Sequence, residues 1–214
     1  MKSLALALLP FVISTPAAAT VVTDPVGDFI PSFAGPNDPD LDVTGFSVAF
    51  DPATEIFTIA GSLAGAIDPE NDYYYVIGVN TGAGAIAPFG SIGQGNVIFD
   101  QVVIVGGEGE AFIGGTDLTF NIMGADFDVL VPLSLLPSTG RDPLEYAFNL
   151  WPRTQIDNPA DLTAISDFAP NNSEIHPTAV PEPATWLAML LGFGIAGTAL
   201  RFRRERKSWL PSQV

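Results

Sequence analysis

The segment Asn37-Asp38-Pro39-Asp40-Leu41-Asp42 sets three carboxylates at alternate positions, with Asp24 and Asp28 nearby in sequence. Calcium takes about six to eight oxygen ligands, and closely spaced aspartates on a loop can supply several of them. Asp38, Asp40 and Asp42 are therefore candidate calcium ligands. They do not make an EF-hand. Counted from Asp38, the sixth position is Val43 where that loop needs Gly, and the twelfth is Ala49 where it needs Glu. An acidic, turn-rich surface loop ahead of a strand explains the same spacing without a metal. Asp126 and Asp128 alternate with apolar residues and read as the solvent face of a strand.

Other chemistries are short of parts. The chain has no cysteine, which removes thiolate metal sites, cysteine nucleophiles and disulfide staples together. Its one histidine, His176, lies beside Pro177 in a polar stretch, outside the expected domain. Neither a Ser-His-Asp triad nor a histidine-based metal site has its imidazole there. A two-carboxylate glycosidase could be assembled from Glu55, Glu70, Glu108, Glu110 or Glu145, but their spacing selects no pair. The reading is a protein that is not an enzyme. Gly78 to Gly95 holds six glycines with no lysine or arginine near them, so a phosphate cradle is not expected. That stretch reads as a long loop bordering a ligand site. Tyr74 and Trp151 offer ring faces for sugar stacking, whereas Tyr73 and Tyr75 alternate as core residues do, and core filling suits most of these aromatics better.

Any such site must be carried by strands. Phe46, Val48 and Phe50 share one face, as do Phe57 and Ile59, then Tyr73, Tyr75, Ile77 and Val79. Leu118, Phe120 and Ile122, then Phe127, Val129 and Val131, then Tyr146, Phe148 and Leu150 repeat the pattern. Period two in short runs, punctuated by Gly, Pro, Asn and Asp, predicts antiparallel sheets, and the number of runs suits an all-β sandwich over 20–168. Asn96–Val105 is more continuously apolar, as expected of a central strand covered on both faces. Residues 169–180, polar and broken by Pro170 and Pro177, read as a linker.

Charge narrows the partners. Residues 20–179 hold 22 Asp/Glu against Arg141 and Arg153 alone, a charge of −20. Such a surface repels a phosphate backbone, so nucleic acid is not an expected partner, and divalent cations would relieve its self-repulsion.

Both ends read as targeting segments. Met1-Lys2, the apolar run Leu4–Ile13 and Thr15-Pro16-Ala17-Ala18-Ala19 have the order of a signal peptide over 1–19, cut after Ala19. At the other end, Pro183 to Leu200 is an uncharged run of 18 residues. As a helix it would be about 27 Å long, enough for a hydrocarbon core. Trp186 stands at its interface, and Arg201, Arg203, Arg204, Arg206 and Lys207 follow as a cytoplasmic stop. One C-terminal transmembrane helix is therefore expected at about 184–200, with 208–214 as a cytoplasmic tail.

The order Pro181-Glu182-Pro183, Trp186, a Gly-rich apolar helix, and Arg201, Arg203 and Arg204 resembles the PEP-CTERM sorting signal over 181–207. The resemblance implies a bacterial protein recognised by exosortase, a membrane protease-transferase. It implies export, an inner-membrane-anchored precursor, and a processed form at the cell surface or in the extracellular matrix. The module also carries the name ice-binding protein C-terminal domain, which describes the tail and not ice binding. This chain departs from the pattern in continuing for Ser208–Val214 after the basic cluster. Asp24-Pro-Val-Gly27-Asp28, the Asp38–Asp42 run and a closing Asp167-Phe-Ala-Pro170 are similar in style to carbohydrate-binding and DOMON-like sandwiches. Polysaccharide is accordingly a candidate ligand, beside a structural role in which the acidic surface acts through cation bridging.

Overall fold

The computed structural model describes residues 21–180. The expected signal peptide, transmembrane helix and cytoplasmic tail lie outside these residues. Eleven strands run along the described chain: β1 (Val21–Thr23), β2 (Val43–Asp51), β3 (Ile56–Leu63), β4 (Tyr74–Asn80), β5 (Gln101–Gly106), β6 (Glu110–Ile113), β7 (Thr116–Asp117), β8 (Thr119–Met123), β9 (Asp126–Pro132), β10 (Ala147–Arg153) and β11 (Thr178–Ala179). Single 3₁₀ turns interrupt them, and no described segment forms an α-helix.

The strands form two sheets. One has the order β1-β2-β3-β9-β8, with β11 pairing parallel to β2 beside β1; the other is β10-β4-β5-β6-β7. Apart from β11 every pairing is antiparallel. The inner faces meet in one apolar core, with Phe57 against Phe148 at 5.4 Å and Tyr75 against Phe127 at 5.2 Å between ring centroids. This is a β-sandwich, as the alternation predicts. Phe46, Val48 and Phe50 point into it; Val43 joins them, three positions before Phe46, because a bulge between Val43 and Gly45 resets the register.

The second sheet is covered on its outer face as well. Ile30, Phe89, Val97, Ile165 and Phe168, all from connecting segments, close over Val76 and Trp151. Hence β10 is buried along its whole length. Gly78 of β4 lies under the indole of Trp151, where a Cβ would come within 2.6 Å of the ring. The doubly covered strands are thus β4 and β10. Asn96–Val105 is only partly strand, since β5 starts at Gln101 and Val97 belongs to the outer layer. The glycine-containing stretch between β4 and β5 also packs down, burying Phe89 and bridging Ile86 to Phe99.

Residues 169–180 depart from a linker. Ala169 pairs with Leu150 and Ile175 with Phe148. The Nδ2 of Asn149 donates to the carbonyls of Pro170 and Ser173 at 2.7 and 2.8 Å. The Val180 amide donates to the Phe50 carbonyl at 2.9 Å. Polar composition suggested a tether, but these polar groups are consumed in holding the segment to the sandwich.

Candidate functional site

The most concentrated group of ionisable side chains gathers at the start of β2. Asp24 directly follows β1, and its amide donates to the Thr44 carbonyl at 3.1 Å. The chain then turns through Gly27, whose φ of +84° suits a residue without a Cβ. That turn points the Gly27 amide at Oδ2 of Asp42, 2.7 Å away, and brings Asp28 to the same side. Asp42 ends the 3₁₀ turn Pro39–Leu41 immediately before β2 and is 3 % exposed. Asp167 arrives from the far end of the domain and is fully buried. Its Oδ2 accepts from the Val43 amide at 2.9 Å and its Oδ1 from the Phe168 amide at 2.7 Å. Among the described residues, Asp24, Asp28 and Asp167 each place a carboxylate oxygen within 4.8 Å of the other two.

The cluster is electrostatically uncompensated. Burial, followed by the charges of Asp28 and Asp42, pushes the Asp24 carboxyl up to about 7. Burial pushes Asp167 up to about 8 against the two amides that favour its ionised form, with Asp24 and Asp28 adding to the rise. Asp42 is raised by burial and then by Asp28, against the Gly27 hydrogen bond. The domain's two arginines are placed elsewhere: Arg153 donates to the carbonyls of Asn158 and Asp161, and Arg141 packs beside Gly82. One oxygen on each of Asp24 (Oδ2), Asp28 (Oδ1) and Asp42 (Oδ1) is buried with no hydrogen-bond donor.

The three aspartates singled out by spacing are divided by the fold. Asp42 enters the cluster, whereas Asp38 accepts a 2.6 Å hydrogen bond from the Tyr73 hydroxyl. Asp40 faces the Asp68 amide and the Asn71 side chain at 3.4 and 3.5 Å. The grouped carboxylates therefore differ from the run Asp38, Asp40 and Asp42. The 3₁₀ turn Pro39–Leu41 explains it: at three residues per turn, alternate positions do not share a face. Asp24 and Asp28 were visible as neighbours in sequence; Asp167 was visible only as the acid closing the domain.

The remaining candidates are scattered. Glu55, Glu70, Glu108, Glu110 and Glu145 are all exposed. Glu145 lines an open depression of about 410 Å³ with Arg141, Leu144 and His176. The His176 Nδ1 lies 2.9 Å from the Tyr146 carbonyl. Trp151, a candidate stacking face, is 2 % exposed and serves the core. Tyr74 is half-buried, its hydroxyl donating to Asp72 at 2.6 Å. Asp126 and Asp128 lie on the outer face of β9, as alternation predicts, accepting from Ser62 and Asn121.

The last hydrogen bond of the sandwich, from Val180, leads straight into Pro181-Glu182-Pro183. Residues 179–204 match the PEP-CTERM protein-sorting motif. The motif spans Pro181, Glu182, Pro183, Trp186, Arg201, Arg203 and Arg204, the residues on which the resemblance rests. No curated protein and no solved structure matches the chain. The sandwich ahead of the sorting motif therefore has to be read from its own residues.

Proposed function

We propose that this chain is an exported protein, processed by exosortase through its sorting motif, whose β-sandwich serves a non-enzymatic binding or structural role at the cell surface or in the extracellular matrix. The observation that carries the reading is the PEP-CTERM match at 179–204. The apolar run and arginine cluster within it suit a transient membrane anchor with the sandwich outside. The non-enzymatic role is supported by the placement of the exposed glutamates, of which only Glu108 and Glu110 share a turn. With 22 acids against two arginines over 20–179, the domain suits an exopolysaccharide layer in which divalent cations bridge acidic chains.

The test is replacement of Pro181, Glu182 and Pro183 by alanine in the native host. The variant should still be exported but should accumulate as an unprocessed, membrane-held precursor on immunoblots. Processing at the wild-type rate would overturn the reading.

A further inference from the structure

We propose that Asp24, Asp28, Asp42 and Asp167 form a calcium site that clasps the N-terminal arm of the sandwich to the start of β2 and to the end of the domain. The site lies in the sandwich and goes beyond the sorting reading.

The three mutually close carboxylates do not carry the assignment alone. The independent observation is Asp42, which is 3 % exposed and has Oδ1 buried without any donor. The bare oxygens of Asp24 and Asp28 share that condition. A buried carboxylate oxygen without a hydrogen-bond donor is costly, and three in one place are not explained by the hydrogen bonds of the fold. Each of these side chains has only acceptor atoms when ionised, so in that form the missing partner must be electropositive. Arg153 donates to the Asn158 and Asp161 carbonyls, and Arg141 lies beside Gly82. A cation among Asp24, Asp28 and Asp167 meets the vacant oxygens of the first two and offsets the charge of Asp42 beside them.

The donors also select the ion. The site offers oxygen only, with no histidine or cysteine, which suits a hard cation. Four carboxylates on a turn, a strand entry and a separate buried segment give an irregular shell. Calcium accepts such shells at about 2.3–2.6 Å, while magnesium demands near-octahedral geometry and keeps its waters. The fold already aims two of the carboxylates: the Gly27 amide holds Oδ2 of Asp42, and the Asn171 side chain donates to Oδ2 of Asp28 at 3.1 Å. In both cases the other oxygen is the vacant one. Asp167 is held differently: the Val43 and Phe168 amides take one oxygen each, fixing the carboxylate beside Asp24 and Asp28.

The consequence is structural. Asp24 and Asp28 flank the arm between β1 and Ile30, and Asp167 closes the domain, so one ion would tie together segments far apart in sequence.

The experiment is isothermal titration of the full chain, purified in detergent and stripped with chelator, using calcium chloride as the probe, with thermal unfolding in parallel. The expected result is saturable binding of one calcium per chain. A midpoint rise of about 5–10 °C should follow at a calcium concentration about a hundredfold above Kd. The double variant D24N/D28N should lose the binding heat while keeping the far-UV dichroism of the stripped wild type. D38N should bind as wild type does, because Asp38 is engaged with Tyr73. If the double variant does not fold, the half-buried D28N alone replaces it, with at least about a tenfold loss of affinity expected. Absence of saturable heat and of any midpoint shift in the wild type overturns the site. Undiminished binding in the folded Asp24/Asp28 variant overturns these ligands, and equal binding of magnesium overturns the choice of ion.

Discussion

The backbone amide of Val43 donates to the carboxylate of Asp167 at 2.9 Å across 124 residues of sequence, in a fully buried setting. The same side chain accepts from Phe168 at 2.7 Å, so one aspartate satisfies two amides at the junction of β2 and the end of the domain. Replacing it with alanine strands both donors, each costing about 1–3 kcal/mol when buried and unpaired. D167A should therefore destabilise the domain by roughly 2–5 kcal/mol in chelator, where cation binding does not enter. D167N, which keeps one acceptor, should lose less. Measurement at pH 6 sits below the value of about 8 to which burial pushes the carboxyl, so its removal recovers no ionisation cost. Urea unfolding of the three proteins gives the comparison, and an alanine variant as stable as wild type would mean that neither amide depends on Asp167.

Much of the sandwich was legible because one buried face forces alternation. Phe46, Val48 and Phe50, or Phe127, Val129 and Val131, cannot trade faces without a register slip, so their spacing declares the strand. The outer layer over β4 and β10 was not legible. It is built by Phe89, Val97 and Phe168 from connecting segments, and no local period marks a residue whose partner lies on another element. The linker reading of 169–180 failed for a related reason: Asn172 and Glu174 look like solvated polar residues, yet their side chains accept from the Asn96 and Ile98 amides. At the acidic cluster, spacing could propose Asp42 and notice Asp24 and Asp28. It could not join Asp167 to them, because long-range pairing is fixed by sheet order and not by sequence distance.

Glu174 gives the pH dependence a definite sign. Burial raises its carboxyl above the ordinary glutamate value, outweighing the Ile98 hydrogen bond. A raised value in the folded state means that the ionised form is disfavoured by folding. The associated stability is complete below the unfolded glutamate value and is lost as pH rises through the folded one. E174Q keeps an oxygen for the Ile98 amide, 3.1 Å away, and removes the charge. The variant should match wild type near pH 4 and exceed it in urea midpoint near pH 8, the gap opening in between. A gap that is constant across this range would show that charge at residue 174 is irrelevant.

Asn149 tests whether the segment before the sorting motif belongs to the fold. Its side chain is 1 % exposed and spans the gap from β10 to the carbonyls of Pro170 and Ser173. Truncation to alanine removes both hydrogen bonds, a loss of roughly 1–3 kcal/mol at the segment. The effect should be local, because the Ile175 and Val180 amides bond to Phe148 and Phe50 at the rim of the sandwich, while β3 and β9 pair deep within the first sheet. Hydrogen exchange of N149A should therefore accelerate by about tenfold or more at Ile175 and Val180, with smaller change at Ile59 and Val129. Such a result would make residues 169–180 a strap that opens before the sandwich does, at the boundary where the sorting motif begins. Unchanged protection at Ile175 and Val180 would show that the segment is held to the sandwich without Asn149.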